Sequence, residues 1–103
     1  MREPGSGTRA AFESALRANG SEPAALNVAI ELPSNEAVLL AVECGIFATV
    51  VSELVAARHV DARRLVPVGF DLPPRSFSII RHKERYRTKA SLALEEMMPK
   101  RKR

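Results

Sequence analysis

Apolar residues near the start of the chain recur every three or four positions, which is the spacing of one face of an α-helix. Ser6 or Thr8 supplies an N-cap ahead of this run, and the Asn-Gly pair at positions 19–20 is a typical helix stop. The pattern therefore predicts a first helix between these signals. Its apolar face consists of Phe12, Ala15 and Leu16.

Three further helices are predicted by similar patterns. The second begins in the Pro-Ser-Asn-Glu sequence of residues 33–36, where Ser34 is a good N-cap, and it ends at Gly45. Shorter helices are predicted over residues 52–58 and after Thr88. The expected apolar positions of the second helix are Val38, Leu39, Ala41 and Val42, and those of the last helix are Leu92, Leu94, Met97 and Met98.

Short apolar runs separate the helices and predict strands. They cover residues 26–32, 46–51, 65–68 and 76–81. Because helices and strands alternate with short connections, the sequence predicts an α/β fold with a mixed, mostly parallel sheet.

Composition places the chain among globular proteins of one small domain. It has 103 residues, of which 46% are hydrophobic and 27% charged, and it lacks an apolar run near the roughly 20 residues of a membrane helix. The single cysteine, Cys44, excludes an internal disulfide and is expected to be a small core residue. His59 and His82 have no metal-ligand spacing, and we expect no metal, no cofactor and a cytoplasmic location.

Charge is distributed unevenly along the chain. Residues 1–74 carry 6 basic and 9 acidic side chains, whereas residues 75–103 carry 10 basic and 3 acidic ones. A solvated basic face followed by a disordered basic tail at residues 99–103 explains this asymmetry. Nucleic-acid binding through residues 75–103 is the alternative interpretation.

Two helix starts are the best candidates for a binding site, because no catalytic motif accompanies the serines and histidines. Small residues at positions 5–8 expose backbone N–H groups at the positive end of the first helix, which favours an anion. The helix start at residues 33–36 offers a second such end. If both follow neighbouring parallel strands, they converge on one crevice, where open α/β sheets bind small ligands.

These two motifs, in this order, resemble the LysR-type transcriptional regulators. The matching stretches are REPGSGTRAAFESAL (2–16), ELPSNEAVLLAVECGI (31–46) and DLPPRSFSIIRHKERYRTKASLALEE (71–96). The resemblance implies a three-layer, periplasmic-binding-protein-like (type II) lobe within an incomplete two-lobed effector-binding domain. Residues 1–69 would form the second lobe, and residues 70–98 would return to the first lobe.

The resemblance also implies a function and its partners. A small anionic effector would bind between the lobes, and DNA would be contacted only through a helix-turn-helix domain that this chain lacks. We expect a homo-oligomer, a dimer with possible exchange of elements, no membrane partner and no enzymatic activity. A dimerisation remnant without a ligand is a further alternative. The implied effector-binding residues are Pro4, Gly5, Ser6, Gly7, Thr8, Ser34, Asn35 and Glu36.

Overall fold

Four α-helices make up most of the regular structure of the computed structural model, which describes residues 1–99. They are α1 (Gly7–Ala18), α2 (Asn35–Cys44), α3 (Glu53–Asp61) and α4 (Lys89–Met97), and a 3-10 turn at Pro23–Ala25 follows α1. The N-caps predicted for α1, α2 and α4 are confirmed, because each cap side chain accepts a hydrogen bond from a first-turn backbone N–H. These caps are Ser6, Ser34 and Thr88.

The predicted α/β fold with a mixed, mostly parallel sheet is wrong. In the described residues, strand pairing is limited to one parallel bridge between Arg2 and Leu32. The terminal ammonium of Met1 donates to the carbonyl of Ile30 (2.8 Å), and the N–H of Leu32 donates to the carbonyl of Met1 (3.0 Å). A helical chain with one bridged pair of extended segments replaces the three-layer lobe.

The strand prediction failed because alternating apolar and polar residues indicate a possible sheet face but do not show whether a partner strand is present. A strand needs a neighbour for its backbone N–H and C=O groups, and residues 46–51, 65–68 and 76–81 have none among residues 1–99. Many of their apolar side chains are consequently exposed to solvent. Ile46, Val66 and Ile80 are all more than four-fifths exposed.

The buried hydrophobic residues of the described chain lie on α1 and α2. They are Ala15 and Leu16 on the first helix and Val38 and Leu39 on the second. All four positions were predicted to be apolar helix positions, but Cys44 is exposed, so its assignment to the core was wrong. In the last helix, Met97 is also exposed.

The C-terminal third of the described chain packs sparsely on this core. The ring of Phe70 meets that of Phe12 edge to face, with 6.4 Å between centroids. The radius of gyration is 17.2 Å, against about 13 Å for a compact domain of this length. None of the helices within residues 1–99 combines the length and apolar character needed to cross a membrane.

Candidate functional site

The chain enters α1 through a tight turn. The N–H of Ser6 donates to the carbonyl of Glu3 (3.2 Å), which closes a four-residue turn with Pro4 second and Gly5 third. The positive φ of Gly5 (91°) fits the third position of a type II turn, where glycine is favoured. The turn buries Ser6, whose hydroxyl accepts from the N–H of Arg9 (3.4 Å).

The Arg2–Leu32 bridge places the starts of α1 and α2 side by side. Each bridged residue lies shortly before a helix, and the two segments run in the same direction. The guanidinium of Arg2 spans the gap, because its Nη1 donates to Oδ1 of Asn35 (2.8 Å). The two motifs that the sequence singled out are therefore connected through Arg2, which sequence reasoning did not identify.

Arg2 carries a fixed positive charge at this position. Its Nε donates to Oε2 of Glu3 (2.9 Å) and its Nη2 to Oε1 (3.1 Å). These hydrogen bonds raise the pKa of Arg2 and lower the pKa of Glu3, and the charge of Glu36 raises that of Arg2 further. The contact between Arg2 and Asn35 could have been inferred from the sequence only if the pairing of Arg2 with Leu32 were already known.

Two other arginines, Arg9 and Arg75, lie near the start of α1. Arg9 donates through Nε to Glu13 (2.8 Å) and through Nη1 to Glu31 (2.8 Å), and both bonds raise its pKa. Arg9 is therefore paired with carboxylates of the chain, as Arg2 is with Glu3. Arg75 approaches α1 from the C-terminal segment, since its Nη1 lies 3.7 Å from where a Cβ on Gly7 would be.

A mostly apolar groove of about 500 Å³ extends from these helix starts. Its walls come from α1, α2 and the extended residues 26–32 and 46–50. Phe47 forms part of one wall and lies against Gly45, where a Cβ would be only 2.6 Å from its ring. Arg2, Thr8 and Arg9 contribute the polar and charged lining near the helix starts.

The structure separates the predicted site residues into two sets. Thr8 lines the groove. Arg2, which was not among the predicted residues, lines it as well. The other predicted residues lie around the two helix starts, outside the groove lining. They are Pro4, Gly5, Ser6, Gly7, Ser34, Asn35 and Glu36.

Comparison with known families assigns the chain. The family model described as the LysR substrate binding domain matches residues 1–102. The chain belongs to this family. Membership in this family indicates that the chain is a regulatory module rather than an enzyme.

A curated relative agrees with this assignment. An uncharacterized HTH-type transcriptional regulator from Methanocaldococcus jannaschii is 46% identical over 69 residues, which cover 65% of this chain and 23% of that protein. The chain thus spans less than a quarter of the length of this relative. No solved structure matches this chain.

Proposed function

We propose that this LysR substrate-binding domain binds a small carboxylate effector at the starts of α1 and α2 and in the adjoining groove. The arrangement of Arg2 supports this most directly, because its partly buried guanidinium, paired with Glu3, also donates to Asn35 at the start of α2. Helix N-termini and arginine both favour a carboxylate. The apolar groove lining would take the remainder of the effector.

The proposed roles of the individual residues follow from their positions. Gly5 and Gly7 keep the backbone open at the start of α1, where N–H groups lack intrahelical partners. Thr8 would donate its hydroxyl from the groove wall. Ser34 and Asn35 would donate from the start of α2, while Pro4 and Ser6 shape the turn and Glu36 stabilises the helix.

In the complete regulator, we propose that residues 1–69 form the second lobe and residues 70–98 return to the first. An effector held between the lobes would favour one lobe arrangement, and DNA-binding domains elsewhere in the regulator would respond in the cytoplasm, where their target lies. Family membership supports this function over the two alternatives, nucleic-acid binding through residues 75–103 and a ligand-free remnant. The disordered basic tail that the sequence predicts at residues 99–103 falls largely at residues 100–103, which lie outside the described residues.

A thermal-shift screen with acetate, succinate and benzoate tests the effector site. At a concentration of 100 times Kd, a ligand stabilises the folded state by about 2.7 kcal/mol, which raises Tm by roughly 10–20 °C in a domain of this size. We expect at least one of these acids to do so, and Ser6→Ala and Asn35→Ala to reduce the shift.

The thermal shift of each variant is measured relative to the Tm of the same variant without added acid, because loss of the Ser6 cap alone costs about 1 kcal/mol of stability. Ser14→Ala, on an exposed position of the same helix, is the matched control and should keep the wild-type shift. If none of the acids raises the Tm of the wild type, the ligand-free remnant becomes the better explanation.

We also propose that the isolated chain dimerises to cover apolar side chains of its C-terminal segment. Phe77 and Ile80 are more than four-fifths exposed, and Leu94 on α4 is about half exposed. Burial contributes roughly 25 cal/mol per Å², so a shared interface is favourable. Sedimentation at micromolar concentration should give a dimer, and Ile80→Glu should give mainly monomer; a wild-type monomer would contradict the proposal.

A further inference from the structure

The aromatic ring of Phe47 packs directly against the glycine that ends α2. A Cβ on Gly45 would lie 2.6 Å from both Cδ2 and Cε2 of this ring, which is closer than real Cβ atoms come to other heavy atoms. The φ of Gly45 is −130°, a value open to any residue. Glycine is therefore needed here because of contact with the ring and, less closely, with the carbonyl oxygen of Ala41 (3.2 Å), rather than because of the backbone conformation.

Phe47 also presents aromatic surface to the groove. It lines the groove and is 46% exposed, so the chain covers only part of its ring. Phe12 on α1 is the other aromatic residue in the described lining, but it is less exposed and its ring already packs edge to face on Phe70. The remaining apolar lining is aliphatic. Phe47 thus offers the more accessible aromatic contact for a ligand.

The groove combines this ring with a polar end. Arg2 and Thr8 contribute polar groups near the helix starts, where the carboxylate of an effector is proposed to bind. The volume of about 500 Å³ lies within the usual range for small-molecule sites, so a ring fits in addition to the carboxylate. Aromatic rings gain from edge-to-face or offset stacking beyond the burial of their area, whereas a saturated ring gains from burial alone.

We infer that Phe47, positioned by Gly45, makes the groove selective for aromatic over saturated carboxylates. This inference rests on the proposed function and specifies the chemical class of the effector. Phe47 contacts the ring of the ligand. Gly45 is a positioning residue, because it acts on the ligand only through the place that it leaves for Phe47.

Two acids with the same carbon skeleton test the selectivity of the wild-type chain. Benzoate and cyclohexanecarboxylate carry the same charge, but only benzoate has an aromatic ring. We expect calorimetric titration to give a Kd for benzoate that is roughly 2- to 12-fold lower, the factor that corresponds to one aromatic pair. A groove that recognised apolar area alone would instead favour cyclohexanecarboxylate, which is the more apolar acid.

Matched phenylalanine variants test the contact with Phe47. Phe47→Leu keeps an apolar side chain in the groove wall but removes the aromatic ring, and it should remove the preference for benzoate. Phe77→Leu makes the same chemical change at a residue that is 83% exposed and lies outside the groove lining, so it should keep the wild-type preference.

Glycine variants test the positioning role. Gly45→Ala should displace the ring and weaken the preference, whereas Gly69→Ala should not, because no atom lies within 4 Å of a Cβ at position 69. Adding Gly45→Ala to Phe47→Leu should leave the ratio of the two Kd values unchanged, since a residue that acts through the ring has no such effect once the ring is gone. A merely structural effect of Gly45→Ala would weaken binding of both acids equally.

The outcomes separate this inference from the proposed function. If the wild-type chain binds both acids equally, or cyclohexanecarboxylate more tightly, the inference is overturned while the carboxylate site remains. If it binds neither acid, the carboxylate site is contradicted and the inference fails with it. A preference for benzoate that survives Phe47→Leu overturns the role of Phe47, and one that survives Gly45→Ala overturns the positioning role. The comparison of the two acids needs no substitution, so it decides the inference even where a variant fails to fold.

Discussion

Replacing Leu39 with alanine is expected to remove much of the stability of the domain. Leu39 is 2% exposed and is one of four buried hydrophobic residues in the described chain. A buried leucine-to-alanine substitution costs about 2–5 kcal/mol, because the surrounding side chains fill the cavity only in part. A domain of this length is stabilised by about 5–15 kcal/mol, so this one change is a large fraction of the total. Urea denaturation followed by circular dichroism measures the loss.

The neighbouring leucine provides the control for this prediction. Leu40 lies on the same helix but is 58% exposed, so Leu40→Ala removes little buried surface and should cost less than about 1 kcal/mol. Helix propensity changes almost equally in the two variants. Equal destabilisation by both substitutions would show that Leu39 does not belong to the core.

Replacing Arg2 with methionine is expected to weaken carboxylate binding more than any other single change. Methionine retains much of the apolar stem but removes the guanidinium that donates to Asn35 and Glu3. Losing a charge-assisted hydrogen bond costs about 1.5–3 kcal/mol, which corresponds to a Kd increase of roughly 10- to 150-fold. Calorimetric titration with the acid that gives the largest thermal shift measures this change.

An exposed arginine on α1 serves as the reference. The Arg17 side chain is 57% exposed, and its Nη2 lies 3.8 Å from Oε2 of Glu13. Arg17→Met makes the same chemical change away from the helix starts and should alter Kd by less than two-fold. Wild-type affinity in Arg2→Met would remove the main support for the proposed site.

Local chemistry made the helices predictable. Ser6, Ser34 and Thr88 each satisfy a backbone donor within three residues, so the sequence contains both partners of the stabilising bond. Gly45 follows α2 as its C-cap for a similarly local reason, because helix propensity falls sharply at glycine. The buried positions Val38 and Leu39 followed from helical spacing.

Long-range geometry was less predictable. The alternating residues 76–81 specified a strand but not a partner strand, and the structure leaves them exposed. The role of Arg2 depends on its register with Leu32, which local patterns do not encode. A contact between Glu43 and His59 was missed for the same reason, since its members become neighbours only after α2 and α3 take their places.

The parallel bridge between Arg2 and Leu32 affects the order in which the starts of α1 and α2 come together. Helices form in microseconds or less from local contacts, whereas joining Arg2 to Leu32 requires closure of the whole segment that contains α1. With so few hydrogen bonds, this junction opens at a lower free energy than the core does. A ligand that binds across the junction would therefore act as a cross-link, selecting its closed state from a population in which the open state is readily reached.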